Sequence, residues 1–282
     1  MQILRTVEEL RAWSREERCR GKGQIGLVPT MGALHAGHAS LVREAAQRCR
    51  GRVVVSIFVN PTQFGPNEDF ARYPRIFGAD CDLAEREGAT VVFAPSVEEM
   101  YPLGAATFVD VEGVSERLDG KSRPGHFRGV ATVVAKLLIA AEPELAFFGQ
   151  KDAAQVAVLR RLVADLRLSI KLVICPIVRE ADGLALSSRN VYLSEEERRQ
   201  ALVLSRALRQ VEELVARGVR ESPALIEAAR TIFAEEPTVR VDYVELVNWE
   251  TLLTVNTAVP GTLFAVAAWV GNTRLIDNTI IP

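Results

Sequence analysis

The chain has 282 residues, 48% hydrophobic and 25% charged, an ordinary composition for one or two domains with a buried core. Its 34 basic and 36 acidic side chains leave almost no net charge, and no apolar run reaches membrane-spanning length, so bulk attraction to nucleic acid or to a membrane is excluded. Cys19, Cys49, Cys81 and Cys175 form no C-x-x-C pair and the opening MQILRTVEELRAWSREER is too charged for a signal peptide, which points to free thiols in the cytoplasm.

In chain order, Thr6 to Arg20 reads as a helix, with Thr6 as its cap, Glu9 as the capping-box partner, and Leu10 and Trp13 on one face. Gly21 to Gly26 spells G-K-G-Q-I-G, the dinucleotide fingerprint letter for letter, but that fingerprint needs a strand before it and a helix after it. Here a helix precedes and a strand follows, so the segment is a plain loop. Ile25, Leu27 and Val28 suit a short buried strand that stops at Pro29, turns through Gly32 and leads into helical spacing at Ala39, Leu41, Val42, Ala45 and Ala46. This junction is expected to aim free backbone N–H groups and a helix dipole at one spot, an anion site. His35 and His38 lie three apart, so they face the same way in the first turn. An imidazole donates to a phosphate oxygen and, when protonated, adds positive charge. No cysteine or third histidine lies nearby to complete a zinc set. The stretch resembles the ATP-handling H-x-G-H signature of the nucleotidyltransferase and class I aminoacyl-tRNA synthetase superfamily.

Arg52 to Val59 is a continuous β-branched run, the mark of a strand buried on both faces, and it ends in the irregular loop Asn60-Pro61-Thr62-Gln63-Phe64-Gly65-Pro66-Asn67. Asn60 also suits a turn; Gln63 has no turn role and is the better substrate contact. A helix from Asp80 to Glu87, a strand from Thr90 to Phe93 and another from Thr107 to Val111 follow. Gly120 to Gly129 is a basic loop in which Arg123 and His126 are candidate contacts for a phosphate or carboxylate, and it feeds an apolar helix, Val130 to Ala141. Glu144 to Phe148 is a strand that runs through Gly149, Gln150, Lys151 and Asp152 into a helix from Ala153 to Leu166, repeating the logic of the first junction. With only five lysines against 29 arginines, a lysine at that turn stands out. Lys171 to Ile174 completes alternating strands and helices that predict a parallel, doubly wound α/β sheet, a Rossmann-like domain over residues 1–184. Ser187, Ser188 and Arg189 offer two hydroxyls and a guanidinium to a phosphate chain. Beyond them, Ser194 boxed with Glu197 opens a long helix, Ser222-Pro223 opens another, and Arg240 to Val247 and Leu263 to Val270 read as strands, an α+β domain over residues 185–282.

Taken together, P-T-M-G-A-L-H-x-G-H, F-V-N-P-x-Q-F-G-P-N-E-D, R-P-G-H-F-x-G-V, F-F-G-Q-K-D and R-E-A-D-G-L-A-L-S-S-R-N, with the later D-Y-V-E and T-R-L-I-D-N, resemble the pantoate–β-alanine ligase (pantothenate synthetase) family. The chain departs from that pattern at Ala153 and Ala154, where bulkier or polar residues are frequent and the pocket wall beside Gln155 is in question. It departs again at Val247-Asn248-Trp249, in place of a more usual V-D-P. The resemblance implies ATP-dependent condensation of pantoate with β-alanine through a pantoyl adenylate, releasing AMP and pyrophosphate, by a homodimer whose C-terminal domain covers the ATP site as a lid. It places the nucleotide on Met31, Gly32, Ala33, Leu34, His35, Ala36, Gly37 and His38, with Gly149 to Asp152, Val178 and Leu186 around the adenosine and triphosphate. It gives His38, His35, Lys151, Ser187, Ser188 and Arg189 the developing phosphate charge, and Gln63 and Gln155 the pantoate. Mg2+ is expected on the phosphates, with Asp80 a candidate protein ligand. Two other readings share these residues: a different H-x-G-H nucleotidyltransferase, which has no evident use for Gln63, and a nucleotide-binding module that turns nothing over.

Overall fold

The computed structural model describes residues 1–21, 23–66 and 68–282; Lys22 of the G-K-G-Q-I-G loop and Asn67 of the loop after the second buried run lie outside the described residues. The first part of the chain runs β1 (Gln2–Leu4), α1 (Val7–Cys19), β2 (Gly26–Thr30), α2 (Ala36–Arg48), β3 (Val53–Ile57), α3 (Phe77–Arg86), β4 (Val91–Phe93) and the single turn α4 (Val97–Met100). It continues through the single turn α5 (Asp119–Ser122), then α6 (His126–Ala141), β5 (Leu145–Gly149), α7 (Ala153–Asp165) and β6 (Lys171–Cys175). Six parallel strands lie in the order β1-β4-β3-β2-β5-β6. The alternation of side chains splits their burial between two faces. Val28, Val53, Val55 and Phe147 pack under α2 and α3, while Leu27, Val54, Ala146 and Phe148 pack under α1, α6 and α7.

This order locates the ligand crevice. The chain steps from β2 outward to β3 and β4 on one side, and from β5 to β6 on the other, so the sheet reverses direction between β2 and β5. Loops leaving adjacent strands at such a point part in opposite directions and open a cleft at the strands' carboxyl ends. Those loops are Met31–His35 and Gln150–Asp152.

The Thr6–Glu9 and Ser194–Glu197 capping boxes are both present. Thr107 to Val111, expected as a strand, is irregular instead. Val109 and Val111 pack into the core beside α6, and the Val109 N–H donates to Thr132 Oγ1 rather than to a neighbouring strand. The basic segment is less of a loop than expected, since α5 and the first turn of α6 take most of it. The edge strand β1 was not legible because three residues show no period.

The second part holds α8 (Glu195–Ala216), α9 (Ser222–Ala234) and an antiparallel sheet of β7 (Arg240–Asn248), β8 (Thr262–Val270) and β9 (Thr273–Ile280). Phe264, Val266, Ala268 and Val270 of β8 face α8 and α9, whereas Leu263 and Ala265 join Val247 and Leu252 in the core of the first part. The strand is therefore apolar on both faces, and the two parts of the chain share buried surface.

Candidate active site

At the end of β2 the backbone enters left-handed conformations at Gly32 (φ 84°) and Ala33 (φ 51°). The reason lies in Asp80, from α3, which is 1% exposed and accepts the N–H of Ala33 at 2.9 Å and of Leu34 at 2.7 Å. Burial pushes its carboxyl up, and the two amide bonds counter this. Asp80 thus organises the turn with both oxygens, and its reading as a metal ligand is replaced by that role.

His35 is the N-cap of α2: its Nδ1 accepts the N–H of Gly37 at 3.1 Å, while His38 Nδ1 accepts the N–H of His35 at 3.3 Å. The two rings lie 4.1 Å apart. Burial lowers the pKa of His35 to about 4, aided by Lys151, and that of His38 to about 3, aided by His35. Both are neutral near pH 7, and because each Nδ1 is an acceptor, each carries its proton on Nε2. The histidines are donors here rather than cations. The expected free amides are also taken up, those of Gly32, Ala33, Leu34, His35 and Gly37 going to Thr30, Asp80, His38 and His35.

The β5 junction is built differently. Gln150–Asp152 forms a 3-10 turn, Lys151 Nζ lies 3.4 Å from Asp152 Oδ1, and α7 begins with no side-chain cap among the described residues. Asn278 of β9 donates to the carbonyls of Gln150 and Lys151, both at 3.0 Å, and accepts from Gln150 Nε2 at 3.1 Å.

Between the junctions lies an open cleft. It brings together Met31, His35, Gly37, His38, Gln63, Arg123, His126, Gly149, Lys151, Asp152, Gln155, Val178, Leu186, Ser187, Ser188 and Arg189. Gly32, Ala33, Leu34 and Ala36 are not on its wall; they shape the turn behind it. Gln150 commits its side chain to Asn278 and does not reach the cleft. Asn60 is 1% exposed and fully engaged, accepting from Thr62 and Tyr101 and donating to Gln63 Oε1 and Gly129 O. It seats Gln63 and does not itself line the cleft. Gln63 donates from Nε2 to Met31 Sδ at 3.0 Å.

The two cleft arginines are already paired. Arg123 grips both Glu68 oxygens at 2.7 and 2.6 Å, and Arg189 grips both Asp69 oxygens at 3.0 Å each. His126 donates from Nδ1 to Gln63 O at 2.8 Å and accepts from Arg123 at 3.0 Å on Nε2. Burial, with Arg123 beside it, lowers its pKa to about 4. Both residues are therefore fasteners of the Gln63 loop before they are anion contacts.

A family model described as Pantoate-beta-alanine ligase matches residues 2–280. The chain belongs to the pantoate–β-alanine ligase family. A pantothenate synthetase from Acidobacterium capsulatum is 60% identical over 100% of this chain and 97% of its own length, and one from Thermotoga petrophila is 54% identical over 100% of each. The solved pantothenate synthetase of Thermus thermophilus matches with a TM-score of 0.93 at 46% identity, covering 100% of this chain and 99% of that one. The pantoate–β-alanine ligase of Francisella tularensis, solved with beta-gamma ATP and β-alanine, matches with 0.81 at 33% identity, covering 99% and 97%.

Within this pantoate–β-alanine ligase fold the two departures in sequence meet. Ala153 and Ala154 are 4% and 2% exposed and face the core, not the cleft. Trp249 donates its indole N–H to the Ala153 carbonyl at 3.1 Å, and the Arg160 guanidinium lies 4.1 Å over its ring. Sequence reasoning missed Glu68, Asp69, Tyr73 and the Asp277–Asn278 pair. Tyr73, 4% exposed, holds Ser188 through a 3.2 Å hydroxyl contact. The available signal was the E-D that closes F-V-N-P-x-Q-F-G-P-N-E-D and the D-N that closes T-R-L-I-D-N, acidic and amide residues inside the quoted motifs.

Proposed function

We propose that this chain condenses pantoate with β-alanine at the expense of ATP. The observation that carries this is the convergence, at the reversal point of the sheet, of neutral His35 and His38, Lys151, and the two carboxamides Gln63 and Gln155 in one cleft. A carboxylate is a poor acyl donor because its leaving group would be oxide. Attack of the pantoate carboxylate oxygen on the α-phosphorus forms a mixed anhydride and expels pyrophosphate. The neutral amine of β-alanine then attacks the acyl carbon, AMP leaves, and the amine's proton is released. Little covalent work falls to side chains, so the site positions groups and stabilises charge.

His35 and His38 present Nε2–H to phosphate oxygens, and Lys151 meets the charge that gathers on the departing pyrophosphate. Ser187, Ser188 and Arg189 line the same wall. Gln63 and Gln155 can donate to the pantoate carboxylate and accept from its hydroxyls, which a charged side chain could not do both of. Among the described residues no three His, Cys, Asp or Glu gather to hold a metal, and Asp152 is the one carboxylate on the cleft wall. That set fits Mg2+ carried mainly by phosphate and water oxygens, with Asp152 its protein neighbour. Bound there, Mg2+ would neutralise phosphate charge. The family likeness supports a cytoplasmic homodimer, read as a nucleotide and pantoate domain over 1–184 and a covering domain over 185–282.

The test is isotope exchange. Labelled pyrophosphate should enter ATP when pantoate alone is supplied, and AMP should accumulate only when β-alanine is added. Exchange that requires β-alanine would sink the two-step order; no exchange and no AMP would leave a binding module.

A further inference from the structure

Asp277 and Asn278 stand next to each other on β9, each 3% exposed, and a strand sends neighbouring side chains to opposite faces. Asp277 lies opposite Val266, on the face toward α8 and α9, and takes Arg179 through two bonds of 2.5 and 2.9 Å. Arg179 opens the segment that ends in Ser187–Arg189. Asn278 lies opposite Ala265, on the other face, and uses its whole carboxamide on the Gln150–Lys151 turn. The two carbonyls it holds flank the Lys151 Cα on either side. Fixing both peptide planes fixes the direction in which the lysine side chain leaves the backbone. Gln150 Nε2, bonded back to Asn278 Oδ1, locks the amide in the orientation that makes this work.

We propose that Asn278 is a positioning residue for the adenylation step, acting through Lys151, and that Asp277 does the same for the Ser187–Arg189 segment through Arg179. This rests on the functional reading above. Neither side chain needs to touch a substrate; the effect is one of aim, and a displacement of about 1 Å at a charge-stabilising group costs on the order of a hundredfold in rate.

A double-mutant cycle on pantoate-dependent pyrophosphate exchange tests it. Asn278→Ala should lower the exchange rate about 10- to 100-fold, with the KM for β-alanine in the full reaction within about twofold of the parent. In a Lys151→Ala background the same change should cost less than about threefold, since there is no lysine left to aim. Equal losses in both backgrounds would mean that Asn278 supports the fold generally, and would overturn the proposal. If Asn278→Ala does not fold, Gln150→Ala replaces it in the same cycle, because it frees the amide without emptying the core; additive losses there overturn the proposal equally. Failure of exchange in the unmodified chain would overturn the functional reading itself, whereas exchange with additive losses removes only the role of Asn278.

Discussion

The two strand-to-helix junctions look alike in sequence, each an apolar strand, a glycine and a polar turn, yet they satisfy their backbones in opposite ways. The first closes on itself. Asp80 and the two histidines absorb its amides, and the turn requires left-handed backbone at Gly32 and Ala33. The second is held by its carbonyls, from β9, and among the described residues the start of α7, beside Lys151, takes no side-chain cap. The lesson is that the anion site expected at the first junction divides between the two. The first supplies rigid neutral donors; the second supplies positive charge, from a lysine and from the N-terminal end of the α7 dipole.

Four experiments can break or sharpen this contrast. The largest effect is expected for Lys151→Ala, with turnover falling roughly 100- to 1000-fold and ATP binding changing much less, because charge on departing pyrophosphate grows only in the transition state. Steady-state kinetics beside an ATP titration decide it, and near-normal turnover would move the cationic role elsewhere. Asp80→Asn should come next. Its NH2 would confront a backbone N–H, donor against donor, costing about 2–3 kcal/mol in a urea melt; an unchanged melt would mean the first junction holds without its carboxylate.

Acid should find the first junction too. His35 is neutral in the fold down to about pH 4, while an unfolded histidine takes its proton near the ordinary value of 6.5. Between those values the unfolded chain binds more protons, so stability is present above the unfolded pKa and is lost as pH falls. His35→Asn keeps a cap acceptor without the titration. It should lose about 2 kcal/mol less than the parent between roughly pH 7 and pH 5. Equal losses would show that carboxylates alone govern the acid limb. A last comparison separates the two glycines. Alanine at Gly32 would adopt φ 84° and set its Cβ 2.9 Å from Asp80 Oδ2, whereas at Gly149 nothing lies within 4 Å. The first should cost about 1–2 kcal/mol and the second less than about 0.5 kcal/mol. Equal costs would erase the distinction.

Much of this was legible in the sequence where one side chain does one job. Short apolar runs gave β2, β3 and β5, capping boxes gave α1 and α8, and His35, His38, Gln63, Lys151 and Ser187 do share a cleft. What stayed hidden depends on partners far along the chain. Asn60 reads as a polar loop residue until Gly129 and Tyr101 are seen around it. Arg123 and Arg189 read as free cations until Glu68 and Asp69 arrive from another loop. The histidines read as chargeable until their burial is known. Thr107–Val111 has a strand's composition, but among the described residues no strand pairs with it.

How the chain reaches its active form depends on the hairpin of β8 and β9. Since β8 is buried on both sides, burial by itself hardly distinguishes the native pairing from one shifted by a residue, the shift that hydrophobic patterning normally forbids. The tie is broken by size, Leu263 and Ala265 fitting one core and Phe264 and Val266 the other, and by the polar residues of β9. A β9 shifted by one residue would turn Asn278 and Arg274 toward α8 and α9, Asp277 toward the Lys151 carbonyls, and Leu275 out of its core. Such a molecule would lose the bonds that Asn278 makes to the Gln150–Lys151 turn, so for this hairpin the register of the strands and the geometry of the cleft are one property.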